Sequence, residues 1–290
     1  MNKDLKILVT GVKGQLGYDV CRELKERGYT NFKGIDIEDL DITDQNAVHK
    51  YIFEFKPDVV IHNAAWTAVD KAEEMKEKVY AVNALGPKYI AEVCKEVDAK
   101  MVFISTDYVF DGKGNNFFEV DSPKNGLSVY GATKSAGEDF VRSILNKYFI
   151  IRISWVFGIN GNNFIKTMLR LADAGKTELN VVCDQIGSPT YTYDLSKLIC
   201  DMFETDKYGF YHATNEGVCS RSEFARYIFK IAGLNIKVND VTTEEYRKIV
   251  PSQANRPLNS RMSKKSLEKN GFRRLPSWMD AVERYINEFK

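Results

Sequence analysis

The sequence predicts an α/β fold in which a doubly wound parallel sheet is followed by a smaller, mixed α/β region toward the C-terminus. Three observations carry this expectation. Short β-rich runs alternate with amphipathic stretches through the first hundred residues. The first run, residues 6–10, ends in Gly11-x-x-Gly14-x-x-Gly17 and passes straight into a helical stretch. Beyond residue 157 the elements shorten and the loops become irregular, yet no linker intervenes. The first two features describe a Rossmann-type NAD(P)-binding unit, placed mainly in residues 1–157. Residues 158–290 are then mainly a substrate-binding region, with segments that return to the first unit.

Each element has a local reason. Residues 6–10 are a β-rich run, and Leu16, Val20 and Leu24 then recur every four residues along one helix face. The intervening glycines let the backbone turn tightly and approach a pyrophosphate, whose charge sits at the helix N-terminus. A second strand over 32–36 ends at Asp36, about twenty residues beyond Gly17, where an acid accepts hydrogen bonds from a ribose and favours NAD. The same loop also carries Glu38, Asp39 and Asp41, as an ordinary acidic turn would. Lys13, inside the glycine loop, pulls toward a 2′-phosphate, so the choice between NADH and NADPH stays open. A helix over 43–55 is capped by Thr43 or Asp44, and a strand over 58–62 leads into the small residues Ala64 and Ala65. Further elements follow: a helix over 80–96, a strand over 100–105, a helix over 130–146 and a strand over 148–157. The less regular half offers helices over 162–173, 194–203, 221–232 and 277–289. Its strands fall at 179–183, 208–213 and 236–241, and residues 184–190 form a turn-rich loop.

Composition narrows the function. The 290 residues carry 41 Lys plus Arg against 40 Asp plus Glu, a net charge of +1, so a nucleic-acid partner is not expected and phosphate recognition must be local. Five cysteines, Cys21, Cys94, Cys183, Cys200 and Cys219, show no Cys-x-x-Cys spacing and suit a reducing cytoplasm. No apolar run reaches the roughly 20 residues of a membrane span, and the first residues lack a signal-peptide core. The three histidines lie far apart, which argues against a histidine-rich metal site.

Chemistry concentrates at Tyr130 and Lys134, one turn apart on one face of the predicted helix over 130–146. Free tyrosine has a pKa of about 10, and a fixed positive charge beside it favours the phenolate. Taken alone, such a pair is an ordinary solvated helix face. Two further features sharpen it: the glycine loop implies a nicotinamide cofactor, and the strand over 100–105 ends in hydroxyls at the sheet edge where ligands of such folds bind.

Through Gly11-x-x-Gly14-x-x-Gly17, Thr106 and Tyr130-x-x-x-Lys134 the chain resembles the extended short-chain dehydrogenase/reductases. Within them it is similar to the dTDP-4-dehydrorhamnose reductases. That closer likeness rests on longer strings, among them Ser105-Thr-Asp-Tyr-Val-Phe110, Asp184-Gln-x-Gly-x-Pro-Thr190 and Arg256-Pro-x-Asn-Ser-Arg261, and it spans nearly the whole chain. The resemblance implies a cytoplasmic oxidoreductase that reduces the C4 keto group of a dTDP-linked 4-keto-6-deoxysugar with NADPH or NADH, giving dTDP-L-rhamnose for polysaccharide biosynthesis. It makes Tyr130 the general acid and Lys134 its tuning charge and a cofactor-ribose contact. Thr106 becomes a second donor to the same oxygen. It implies further cofactor contacts at Gly11, Gly14, Gln15, Leu16, Gly17, Asp36, Asp41, Ile42, Ala64, Ala65 and Trp66. Substrate contacts fall on Thr106, Asp107, Trp155 and Arg256. Read without the resemblance, Trp155 is equally a core aromatic, Arg256 a surface ion pair, and Asn162 or Asn163 a helix cap. Some relatives bind Mg²⁺ through carboxylates at a homodimer interface; Asp19 is the one candidate ligand placed here, so no metal residue is assigned. Two alternatives stay open: a nucleotide-sugar epimerase on the same fold, and a non-catalytic regulatory subunit like the β subunit of methionine adenosyltransferase.

Overall fold

A computed structural model describes residues 3–289. Its first half runs β1 (Ile7–Thr10), α1 (Gln15–Glu26), β2 (Phe32–Ile35), α2 (Gln45–Phe55), β3 (Val59–His62), α3 (Val69–Ala72), α4 (Lys76–Tyr80), α5 (Gly86–Glu96), β4 (Lys100–Thr106), α6 (Val129–Ile144) and β5 (Tyr148–Ile153). The second half contributes β6 (Val156–Phe157), α7 (Phe164–Asp173), β7 (Glu178–Val182), β8 (Ile186–Gly187), β9 (Thr190–Tyr191), α8 (Thr192–Phe203) and β10 (Gly209–His212). It continues with β11 (Asn215–Glu216), β12 (Cys219–Ser220), α9 (Arg221–Ala232), β13 (Lys237–Val241), α10 (Thr243–Ile249), β14 (Asn259–Ser260), α11 (Lys265–Lys269), β15 (Leu275–Ser277) and α12 (Trp278–Phe289).

The main sheet has six parallel strands in the order β10-β5-β4-β3-β1-β2. Every residue of β1 and β3 is buried, as expected where helices cover both faces of a parallel sheet. On one face Val9, Ile61 and Phe149 pack under Leu16, Val20 and Leu24 of α1 and Leu195 and Phe203 of α8. On the other, Leu8, Val60 and Met101 meet Ile52, Ile90 and Val141 of α2, α5 and α6. The chain order reverses between β1 and β3, which opens a crevice at their C-terminal ends. The sixth strand, β10, and the covering helix α8 both come from beyond residue 157. A separate aromatic core of Phe157, Tyr191, Phe224, Trp278 and Tyr285 holds the second half together.

Two expected elements are broken. The strand over 148–157 stops at Ile153 and resumes at Val156, because Trp155 takes a left-handed backbone with φ of 49°. The helix over 80–96 starts earlier, at α4, and passes through a π-helical turn, Ala81–Leu85, before α5. That turn points Asn83 inward, where it exchanges hydrogen bonds with the Trp66 backbone at 2.8 and 3.1 Å. Residues 242–276, unassigned from the sequence, form α10, β14, α11 and the start of β15, which takes in Ser277 so that the closing helix begins one residue later than expected. Among the described residues no helix is long and apolar enough to cross a membrane.

Candidate active site

A cleft of about 1010 Å³ opens along the C-terminal ends of the parallel strands, between the main sheet and the second half. Gly11, Gly14, Gln15, Leu16 and Gly17 line one end. Gly11 adopts φ of 70°, and a Cβ on Gly17 would lie 2.2 Å from the Gly11 carbonyl, so this loop closes only as glycine. The α1 N-terminus has no side-chain cap and no acid in its first turn, which suits it to a phosphate.

Asp36 is held at the end of β2: it accepts from the Lys13 N–H at 2.8 Å and the Ile37 N–H at 2.9 Å. The Lys13 ammonium is paired with Glu38 at 2.7 Å. Asp41 and Ile42 line the cleft, and the Thr43 N–H and hydroxyl hold the Asp41 carboxyl below its ordinary range. Ala64 and Ala65 line it too, the Ala64 N–H bonded to Thr10 Oγ1 at 3.2 Å. Trp66 departs from expectation. Thr67 takes its place on the cleft wall, while the Trp66 backbone is tied to Asn83 and its indole N–H donates to the Ala68 carbonyl.

The Tyr130/Lys134 pair stands at the start of α6, where Ser128 caps the helix through the Gly131 N–H. Lys134 is buried, its Nζ donating to the Ile104 carbonyl at 2.7 Å and lying 4.2 Å over the Phe103 ring. Burial lowers its pKa to about 7, with Glu138, one turn further along α6, pulling it back up. Tyr130 does not behave as first expected. Burial pushes its phenol above the ordinary value, with the Thr106 hydroxyl acting against that shift, rather than Lys134 drawing it down. An acid that must keep its proton until negative charge develops is served by that direction.

Thr106 ends β4 beside Tyr130, and Asp107 follows, fully buried, with Ser260 of β14 donating to its Oδ2. Trp155 is both core and lining. Its strained backbone wedges the indole against Gly187, where a Cβ would sit 2.9 Å from the ring. The Arg221 guanidinium lies 3.8 Å over that indole. Arg256 forms the ion pair with Asp70 at 2.9 Å, donates to the Tyr108 hydroxyl at 3.1 Å, and also lines the cleft. Asn163 caps α7 through the Lys166 N–H at 3.0 Å, while Asn162 lines the cleft.

Three contributors were missed from the sequence. Arg221 makes no ion pair or hydrogen bond among the described residues, and burial lowers its pKa to about 10. Nothing in its spacing marks it, since it reads as the first residue of α9. Tyr108 packs edge-on to Tyr130 with ring centroids 5.4 Å apart. Asn83 latches the loop after β3.

The donors around Asp19 do not fit Mg²⁺. The Thr192 hydroxyl donates to its Oδ2, its Oδ1 is buried without a partner, and burial raises its pKa to about 6. The nearby carboxylates Glu26 and Glu288 are held by Arg22. No group of three or more metal-ligating side chains occurs among the described residues.

The family model "RmlD substrate binding domain" matches residues 5–290. The spore coat polysaccharide biosynthesis protein SpsK of Bacillus subtilis is 41% identical over 98% of this chain and 97% of its own length. The dTDP-4-dehydrorhamnose reductase of Aggregatibacter actinomycetemcomitans is 39% identical over 88% and 89%. The crystal structure of the Bacillus anthracis dTDP-4-dehydrorhamnose reductase in complex with NADP superposes with a TM-score of 0.94, at 41% identity, over 98% of this chain and 99% of that one. The chain belongs to the RmlD family, the dTDP-4-dehydrorhamnose reductases among the extended short-chain dehydrogenase/reductases.

Proposed function

We propose that the chain reduces the C4 keto group of dTDP-4-dehydro-L-rhamnose with NADPH or NADH, forming dTDP-L-rhamnose for polysaccharide biosynthesis. The observation that carries this reading is the meeting of Tyr130 and Thr106 on one cleft wall, with the glycine loop at its far end. A bound reduced nicotinamide supplies the hydride. The chain positions it through the glycine loop, Asp36 and the Ala64–Ala65 backbone. Tyr130 gives its proton to the C4 oxygen as charge develops there, and Thr106 bonds that same oxygen; both interactions strengthen in the transition state. Lys134 holds the nicotinamide ribose and, when charged, favours the phenolate left behind. Trp155 walls the sugar, and Arg221 with Arg256 holds the diphosphate, Arg221 being the cation not already engaged.

On this reading residues 1–157 mainly hold the cofactor and residues 158–290 mainly the nucleotide sugar. The working form is a homodimer or a monomer without Mg²⁺, in the cytoplasm, where free thiols such as Cys94 and Cys200 persist.

A spectrophotometric assay with dTDP-4-dehydro-L-rhamnose and each reduced cofactor, with the product sugar identified, tests the reading. Tyr130→Phe should lose roughly two orders of magnitude or more in kcat while binding cofactor normally; near-native turnover would refute the assignment. NAD retained on purification without net oxidation of NADH would point to an epimerase instead.

A further inference from the structure

Thr106 has one hydroxyl proton and two claims on it. In the structure its Oγ1 donates to Asp107 Oδ1 at 3.0 Å and accepts from the Tyr108 N–H at 3.2 Å. Bonding the substrate ketone requires that same proton. An ionised carboxylate is a much stronger acceptor than a ketone, so a charged Asp107 keeps it. A neutral carboxyl reverses the bond. The Asp107 O–H then donates to Thr106 Oγ1, both lone pairs of that oxygen are filled, by Asp107 and by the Tyr108 N–H, and its proton is free to face the cleft. Ser260 donates to Oδ2 in either state.

We propose that Asp107 works as a neutral carboxylic acid that turns the Thr106 hydroxyl toward the substrate ketone, a positioning residue for the Tyr130/Thr106 donor pair. The inference rests on the ketone reduction proposed above and assigns Asp107 a task besides contact with the sugar. No proton leaves Asp107 during turnover; the one delivered to the C4 oxygen is the Tyr130 proton.

The surroundings support the neutral form. Asp107 is 2% exposed, and its carboxyl is bonded by the Thr106 and Ser260 hydroxyls rather than by a cation. A buried carboxylate without a counter-ion is costly. The groups that face it are Arg221 of α9, Tyr130 of α6 and Tyr108 of its own turn. Arg221, the one cation of the three, lies over the Trp155 and Phe164 rings and makes no ion pair with Asp107 among the described residues, and Arg256 reaches only the Tyr108 hydroxyl and Asp70. Burial raises the Asp107 pKa against the bonds from Ser260 and Thr106 and the charge of Arg221. The sign follows: the neutral form is present below that raised pKa and is lost as pH rises through it.

The test is kcat against pH for the full chain with NADH and dTDP-4-dehydro-L-rhamnose, in the native protein, Asp107→Asn, Thr106→Val and the double variant. Native kcat should fall on the alkaline side. Asp107→Asn, whose amide N–H donates to Thr106 at every pH, should move that limb upward by about one pH unit or more. In the Thr106→Val background the Asp-to-Asn change should no longer move the profile. An infrared carbonyl band of a protonated carboxyl, present in the native protein at neutral pH and absent from Asp107→Asn, reads the same state without turnover. An Asn profile parallel to the native one, with only kcat lowered or KM raised, overturns the proposal, as does absence of that band. Failure of the native protein to reduce any 4-keto sugar nucleotide instead refutes the reaction, and the infrared band still decides the protonation state.

Discussion

Arg221 and Arg256 are the same residue type on the same cleft, yet their surroundings give them different work. Arg256 is shared with Asp70 and Tyr108, so on the proposed reading a diphosphate would meet a cation already half neutralised. Arg221 is stacked on Trp155 and has all of its donors available. Arg221→Ala should raise KM for the nucleotide sugar about ten- to a hundredfold, since hydrogen bonds to charged groups are worth about 1.5–3 kcal/mol. The Kd for NADH, measured by fluorescence titration, should stay within about twofold. Arg221→Lys should recover only part of the loss, because a single ammonium does not reproduce the planar fork or its stacking. Neither arginine's destination is legible from neighbouring sequence: Asp70 and Trp155 reach them only through the tertiary fold. Tyr130, Lys134 and the three glycines stand out in the sequence because each set keeps a fixed spacing within one element or one turn, whereas Thr106, on β4, is singled out only by the family resemblance.

At the scale of elements, legibility follows local chemistry. The boundaries of α9 match the sequence expectation because Ser220 and Glu223 form a reciprocal capping box and Gly233 ends the helix at φ of 74°. The π-helical turn at Ala81–Leu85 escaped because it keeps the apolar spacing of an ordinary helix. The break at Trp155 escaped because a left-handed backbone leaves no trace in hydropathy. The first turn of α6 shows how tightly an element can be seated: a Cβ on Gly131 would lie 2.1 Å from the Tyr108 carbonyl oxygen. Gly131→Ala should therefore cost about 3 kcal/mol in urea unfolding, the upper end of overpacking penalties, and shift Tyr130 enough to lower kcat. A stability loss under about 0.5 kcal/mol would mean that α6 moves aside freely.

For the whole molecule, two buried histidines set a limit in acid. His62 bonds to Thr10 Oγ1 beneath the cofactor end of the cleft, and His212 lies beside Arg152 on β10. Burial, with Lys134 near His62 and Arg152 near His212, lowers both pKa values from 6.5 to about 3. The unfolded chain then binds protons that the folded chain refuses. Stability is fully present above about pH 6.5 and falls as pH drops toward 3, by up to about 1.4 kcal/mol per pH unit for each histidine. His62→Gln should flatten the dependence of Tm on pH between 6.5 and 4; an unchanged slope would mean that the histidine titrates normally in the fold.

The sixth strand carries a consequence for anyone who would divide this chain. Severing it after residue 157 removes β10 and so turns β5 into a bare margin of unpaired N–H and C=O groups, while Leu195, Phe203 and Tyr211 no longer shield the apolar face above α1. Such a fragment has every cofactor-loop residue and still lacks one rim of its own sheet. It should self-associate by edge pairing rather than behave as a free-standing nucleotide binder, and adding residues 158–290 in trans during refolding should restore a discrete species.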